Sequence, residues 1–194
     1  MKEICFFLIV MATTINATFC QNEQNEFAIG VFGYEGPIYK RVQESKALRL
    51  GISLTRSNTD NKIGTTLKNQ FLGFALSTGY EIRQKIGDDF TLYYGGDIVT
   101  SFSQAKVENI PNSFTLSTKE RSLGFTIVPI IGIYYHFSKT MFFLTDVRFS
   151  TLNYSLTKRS EVLNRNNEER ITTDSRRLAL SISPSYSVGV GFRF

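Results

Sequence analysis

Residues 177–194 alternate between two kinds of side chain without a slip. One face carries Leu178, Leu180, Ile182, Pro184, Tyr186, Val188, Val190, Phe192 and Phe194; the other carries Arg177, Ala179, Ser181, Ser183, Ser185, Ser187, Gly189, Gly191 and Arg193. In a chain that is 42% hydrophobic, such a run of apolar residues at every second position arises by chance about once in a thousand. A period of two is that of a β-strand. A strand of a soluble sheet also alternates, but its outer face is studded with Lys, Glu and Asp. Here the second face is mostly Ser and Gly, which suits a narrow, packed interior, and the greasy face suits hydrocarbon.

The alternation returns along the chain. Leu48, Leu50, Ile52 and Leu54 oppose Arg49, Gly51, Ser53 and Thr55. Leu72, Phe74, Leu76, Tyr80 and Ile82 oppose Gly73, Ala75, Ser77, Gly79, Glu81 and Arg83. Residues 90–102 and 122–137 repeat the pattern. In residues 141–158, Phe143, Val147 and Phe149 fall on odd positions but Leu152, Tyr154 and Leu156 on even ones, so a β-bulge near Ser150 and Thr151 is needed to keep one apolar stripe. Two shorter candidates, 27–33 and 37–42, bring the expected count to eight.

The connectors supply an independent check. Glu44-Ser45, residues 86–89 and Ser138-Lys139 are short, whereas 57–66, 104–119 and 159–175 are long and polar, and the two kinds alternate. Short turns on one side and long loops on the other are the rule for barrels that span a bacterial outer membrane. An even strand number puts both termini on the short-turn side. Only the link 34–36 is short for an outer loop. Phe27, Tyr80, Phe90, Tyr135, Phe137, Phe142, Phe192 and Phe194 gather near the short-turn ends, where an interfacial aromatic girdle belongs. Pro129 and Pro184 cannot donate to a ladder and are expected at bulges near the outer rim.

The chain opens with Lys2, the apolar run 4–12 and a polar stretch from Gln21. That run is too short for a membrane helix, which needs ~20 residues, and has the layout of a secretory signal peptide over residues 1–20. Simple cleavage after Cys20 is favoured over a lipid anchor, because bulky Phe19 precedes that cysteine. Both cysteines, Cys5 and Cys20, lie in this segment, so residues 21–194 form one domain without disulfides or Cys-based metal sites. With 14 Gly, 17 Phe and 9 Tyr, that domain favours strands and turns. A net charge of +5 is scattered among acidic residues rather than gathered into a nucleic-acid patch.

Arg49, Glu81, Arg83, Asp97, Asp146, Arg148, Arg177 and Arg193 fall on the small-residue face. Facing lipid, an Arg near the midplane costs ~2–4 kcal/mol, so these side chains are expected inside, and buried charges must pair. An eight-stranded barrel is just wide enough for side chains to fill, so a neutralising network there acts as a plug rather than a pore. The lone His136 sits on the inward face by a short turn, with no sign of an orienting acid, and reads as a hydrogen-bonded structural residue. Neither a phosphate loop, a metal-ligand cluster nor a nucleophile elbow is present in the sequence, so no catalytic, cofactor or metal site is expected.

Ser187, Gly189, Phe192 and Phe194 resemble the C-terminal signal that hands outer-membrane barrels to their assembly machinery. Over about 26–194 the layout resembles the small outer-membrane barrels of the OmpA/OmpX type and the outer-membrane β-barrel family frequent in Bacteroidota-like genomes. The resemblance implies an eight-stranded antiparallel up-and-down transmembrane β-barrel in a Gram-negative outer membrane, surrounded by lipid and lipopolysaccharide. It implies no active-site residue. The role expected is structural or surface interaction, through the long loops, with a ligand unspecified. Two alternatives stand beside it. One is a secreted lipocalin-like barrel with the apolar faces turned inward around a hydrophobic ligand; the other is a small, porin-like transport channel.

Overall fold

Eight antiparallel strands follow one another in chain order and close into a barrel: β1 (Glu23–Phe32), β2 (Pro37–Gln43), β3 (Lys46–Ile63), β4 (Thr65–Lys85), β5 (Phe90–Ile110), β6 (Thr115–His136), β7 (Met141–Arg165) and β8 (Asn167–Arg193). This computed structural model describes residues 23–32, 36–63, 65–110, 115–165 and 167–194, so the expected signal segment, Gly33 and most of the 34–36 link lie outside the described residues. Closure is made by β1 against β8, and beyond the last ladder pair Asn25 and Phe194 exchange two backbone hydrogen bonds of 3.1 and 2.9 Å.

The two faces go where the alternation sends them. Leu50, Leu72, Phe74, Ile98, Ile127, Ile131 and Phe143 are exposed on the outside, while Arg49, Glu81, Asp97 and Asp146 are buried inside. A lipocalin-like barrel needs the opposite arrangement. Near the short-turn end the interior also holds an apolar cluster of Ala28, Val128, Ile130 and Leu144 packed around Tyr93, Tyr134 and Phe142.

The irregularity in β7 is a bulge. Its register shifts against β6 between Ile127 and Ile130 and against β8 between Ser150 and Leu152, and Thr151 Oγ1 donates to the Ile127 carbonyl at 3.1 Å. Below it the even residues Phe142, Leu144, Asp146 and Arg148 are buried; above it Asn153 and Thr157 bond inward-facing Thr126 and Ser122. The parity therefore flips, as the apolar stripe requires.

Three expectations are corrected. Within the described residues, the polar segments 57–66, 104–119 and 159–175 continue the ladders rather than forming long loops, with β3 and β4 paired up to Ile63 and Thr65, β5 and β6 up to Asn109 and Leu116, and β7 and β8 up to Arg165 and Asn167. Polar composition there reflects water on both sides of a tall hairpin, which leaves backbone pairing intact. Pro129 and Pro184 accordingly stand within the wall, beside the two register shifts, rather than at its outer rim. Phe142 points inward: its ring packs edge-on against Tyr134 at 5.2 Å, and it is Phe143 that lies outside, 4.8 Å from Phe137.

Small residues on the inner face make room for large ones. Gly132 lies between Tyr93 and Asp146 in the ladders, and a Cβ there would stand 2.6 Å from both Cζ and Oη of Tyr93. Gly132→Val should therefore lower stability by about 1–3 kcal/mol through overpacking. Gly96→Ala, whose Cβ would meet Val128 O at an ordinary 3.6 Å, should stay within about 0.5 kcal/mol of wild type. Urea unfolding of both variants in detergent micelles, followed by circular dichroism, measures the difference.

Candidate functional site

The ladders bring charged residues into rows across the inner face. Arg193, Glu26, Lys40, Arg49, Gly79 and Asp97 are successive cross-strand partners on β8, β1, β2, β3, β4 and β5. Directly opposed side chains on one face stand close enough to interact. The row runs plus, minus, plus, plus, gap, minus. The gap is required, since a Cβ on Gly79 would collide with Asp97 Oδ1. A second row crosses Arg83, Tyr93, Gly132, Asp146 and Ser187 on β4 to β8.

Glu81 is the hub, and it is fully buried. Its carboxylate accepts from Lys40 Nζ at 3.0 Å, Arg49 Nη1 at 2.9 Å, Arg83 Nε at 2.7 Å and Tyr134 Oη at 2.7 Å. Glu26 takes a bidentate fork from Arg83 at 2.9 and 2.6 Å and a further bond from Arg193 Nη2 at 2.9 Å. On the other side Arg148 Nε reaches Asp146 Oδ1 at 2.9 Å, and Asp146 also receives Tyr93 Oη at 2.9 Å and the Ser187 hydroxyl. Arg49 Nε lies 3.3 Å from Asp97 Oδ1, and Arg148 Nη1 lies 3.9 Å from Asp97 Oδ2.

Two tyrosines join these groups. Their rings stand 4.5 Å apart, Lys40 Nζ lies 5.1 and 4.8 Å from the Tyr93 and Tyr134 centroids, and the Arg83 guanidinium lies 4.6 Å from that of Tyr134. Lys40 also donates to the Tyr134 hydroxyl. A cation over an aromatic face is held by the ring quadrupole, most effectively where water is excluded.

Of the eight charged residues expected inside, seven meet here. Arg177 does not: it is exposed on β8 opposite Ser155, far above the Asp146 and Ser187 pair. Its parity is inward, but it stands where the wall has outgrown the cluster. Sequence reasoning missed Glu26, Lys40, Tyr93 and Tyr134. Starting the first strand at Phe27 excluded Glu26, and the alternation Ile38, Lys40, Val42 could have flagged Lys40 as an inward charge. The tyrosines lie on the polar face, where parity alone does not reveal that they join the charged groups.

Toward the short-turn end the cluster opens on a cavity of about 750 Å³ lined by Arg83, Arg193, Lys139, Asp88, Asp89 and His136, among others. The His136 ring stacks on Tyr134 at 5.9 Å, and its Nε2 is hydrogen-bonded to Thr91 Oγ1 at 3.2 Å. Among the described residues, no group of three or more His, Cys, Asp or Glu is arranged to hold a metal ion. At the end of β8, Ser187 and Gly189 are buried inward, while Phe192 and Phe194 face outward with rings 5.7 Å apart.

No family model and no curated protein matches the sequence. Solved structures similar to the chain include CarO of Acinetobacter baumannii, at 11% identity and TM-score 0.42 over 88% of this chain and 97% of that one. A major outer membrane protein from Thermus thermophilus is similar at 12% identity and TM-score 0.44, over 89% and 98% of the two chains. Ail, the attachment invasion locus protein of Yersinia pestis, is similar at 13% identity and TM-score 0.46, over 90% and 100%.

Removing Glu81 leaves Lys40, Arg49 and Arg83 facing one another in a buried space. Glu81→Ala is expected to lower stability by about 3–5 kcal/mol, the usual cost of orphaning a buried partner. Glu81→Gln, which keeps an acceptor oxygen, should lose less. Urea midpoints of the two variants in detergent micelles test this ordering; equal midpoints for Glu81→Ala and wild type would refute the hub role.

Proposed function

We propose that this chain is an integral β-barrel of a Gram-negative outer membrane, with its interior plugged by the charged cluster and a structural or surface-interaction role rather than a catalytic one. The observation that carries the reading is the inversion of the usual order: Leu, Ile and Phe project outward around the wall while five cations and four anions are gathered inside it. Hydrocarbon accepts such a wall because every strand pairs with its neighbours, and only helices and closed barrels meet that condition.

A plug follows from size. An interior just wide enough for side chains is occupied at one level by Lys40, Glu81, Tyr93 and Tyr134, all fully buried, which favours structure over conduction. Cationic and anionic side chains that neutralise one another also leave little free charge to draw ions through. The tall hairpins of β3–β4, β5–β6 and β7–β8 rise beyond the apolar belt and present the surface through which a partner, lipopolysaccharide included, is met. The terminal strand, with Ser187, Gly189, Phe192 and Phe194, supplies the feature the assembly machinery would read.

Ile131 sits roughly 12 Å above the short-turn end at ~3.3 Å rise per residue and ~45° tilt, close to the middle of a ~25 Å apolar band. Ile131→Arg should cost about 2–4 kcal/mol in a bilayer, whereas Ile171→Arg, far above the band, should be nearly neutral. In a protein bathed by water both changes at exposed isoleucines would be neutral, and that outcome would refute the membrane reading. Fractionation with the outer membrane, heat-modifiable gel migration, and protease cleavage of intact cells confined to 57–66, 104–119 and 159–175 are expected alongside. Steady conductance in planar bilayers, altered by neutralising Arg83 or Asp97, would replace the plug by a channel.

A further inference from the structure

On three consecutive strands the outer face of the wall changes character within one residue step. Leu123 on β6, Leu156 on β7 and Leu178 on β8 mark the top of the outward apolar stripe, and the next outward position on each strand is an exposed cation: Arg121, Lys158 and Arg176. At ~2.3 Å of height per tilted residue these cations stand about 5 Å above the stripe. That is the level of the headgroups bordering the hydrocarbon, which long basic side chains reach readily. On β4 and β5 the residues in the corresponding place, beyond Leu72 and Phe102, are the neutral Gln70 and Gln104.

The ladders gather the three cations. Arg121 is directly opposite Lys158, while Arg176, opposite Leu156, stands diagonally from Lys158. Opposed side chains on one face have Cβ atoms roughly 5 Å apart and diagonal ones roughly 7 Å, and like charges so placed repel. Among the described residues none of the three is held in an ion pair. Together with Phe102, Leu123 and Leu156 they line a groove of about 310 Å³ on the outer wall. Asp174, opposite Lys158, is the only acid among the described lining residues, so the groove carries two positive charges in excess.

An apolar strip below a surplus of cations selects the ligand. A water-borne polyanion has nothing to lay on the strip, and a phosphodiester lipid brings a single negative charge, too little for the surplus. A phosphomonoester carries about −1.5 to −2 near neutral pH, and guanidinium forks match its oxygens. We propose that this groove seats a phosphomonoester of lipid A, the acylated sugar that anchors lipopolysaccharide in the outer leaflet. Its phosphate lies among Arg121, Lys158 and Arg176, and its acyl chains run down over Phe102, Leu123 and Leu156. The inference rests on the outer-membrane reading given above and deepens it, by assigning the lipopolysaccharide contact to the β6–β8 side of the wall.

Native mass spectrometry of the folded barrel in neutral detergent micelles counts bound lipids directly. The probes are lipid A with both phosphates, lipid A with both removed, and phosphatidylglycerol, each titrated into every variant that gives the heat-modifiable band. One cation near an anionic headgroup contributes about fivefold in affinity, so Arg121→Gln should weaken phosphorylated lipid A by about that factor and the triple variant Arg121→Gln, Lys158→Gln, Arg176→Gln by on the order of 100-fold. Lys46→Gln, which removes an exposed cation at the short-turn end, should change it by no more than about twofold. Lipid A stripped of phosphate should bind wild type and the triple variant alike. Equal retention of phosphorylated lipid A by wild type and the triple variant would overturn the site. So would phosphatidylglycerol held as tightly as lipid A, which makes the groove one for phospholipid, or a loss in Lys46→Gln as large as in Arg121→Gln, which makes the attraction a matter of net charge. These three outcomes leave the membrane reading standing. Ile131→Arg as stable as wild type in a bilayer removes that reading and the groove with it.

Discussion

Backbone pairing that closes on itself is the constraint from which the rest of the structure descends. Each strand of the wall has its N–H and C=O groups directed sideways, and outside water these groups must find partners in adjacent strands. Eight strands in chain order, joined by short turns at one end, satisfy this with the fewest crossings, and β1 against β8 completes the ring. Once the ring is closed, the pleat leaves no choice about side chains: alternate residues go to two different environments, and a single misplaced residue reverses every side chain beyond it. The bulge at Thr151 answers that problem, since it lets Leu152, Tyr154 and Leu156 join the same outer stripe as Phe143 and Val147.

The same closure creates the interior cluster. An inner face that cannot reach the outer solvent must fill its own volume, and charged side chains placed there have only each other. Four carboxylates are spread over five cations, and every strand contributes at least one of these nine charges except β6, which supplies Tyr134 instead. Isolated, each buried charge would cost several kcal/mol; forked arginine contacts and tyrosine hydroxyls offset much of that, and the geometry fixes the register of all eight strands at one level. Glycine at positions 79, 95 and 132 belongs to this arrangement, because at each a Cβ would strike a neighbouring strand or one of the clustered side chains. The Ser and Gly content of the inner face is thus a matter of volume as much as polarity.

The unequal strand lengths give the molecule a direction. β1 and β2 are short, with a short link between them, and the other strands rise past them as three tall hairpins. Below that level the wall is complete and the interior filled; above it the inner face of β8 carries small hydroxyl residues, Ser181, Ser183 and Ser185 among them. The charged cluster therefore forms the floor beneath the tall hairpins.

What the sequence determined by itself was everything that depends on period and count: eight strands, antiparallel order, which residues share a face, the bulge in β7 and the side on which Arg49, Glu81, Arg83, Asp97, Asp146, Arg148 and Arg193 stand. These are legible because parity is a local property, repeated every two residues, that a bulky apolar stripe makes visible. Where parity had no apolar stripe to mark it, reading failed, and the polar segments 57–66, 104–119 and 159–175 passed for loops although their described backbone continues the ladders. Only the tertiary structure decided how far the strands run, that Glu26 and Lys40 complete the cluster, and that Arg177 stands above it. The reason is physical: pairing partners, shared charge and wall height are set by strands distant in sequence, and no alternation within one segment carries information about the length of its neighbour.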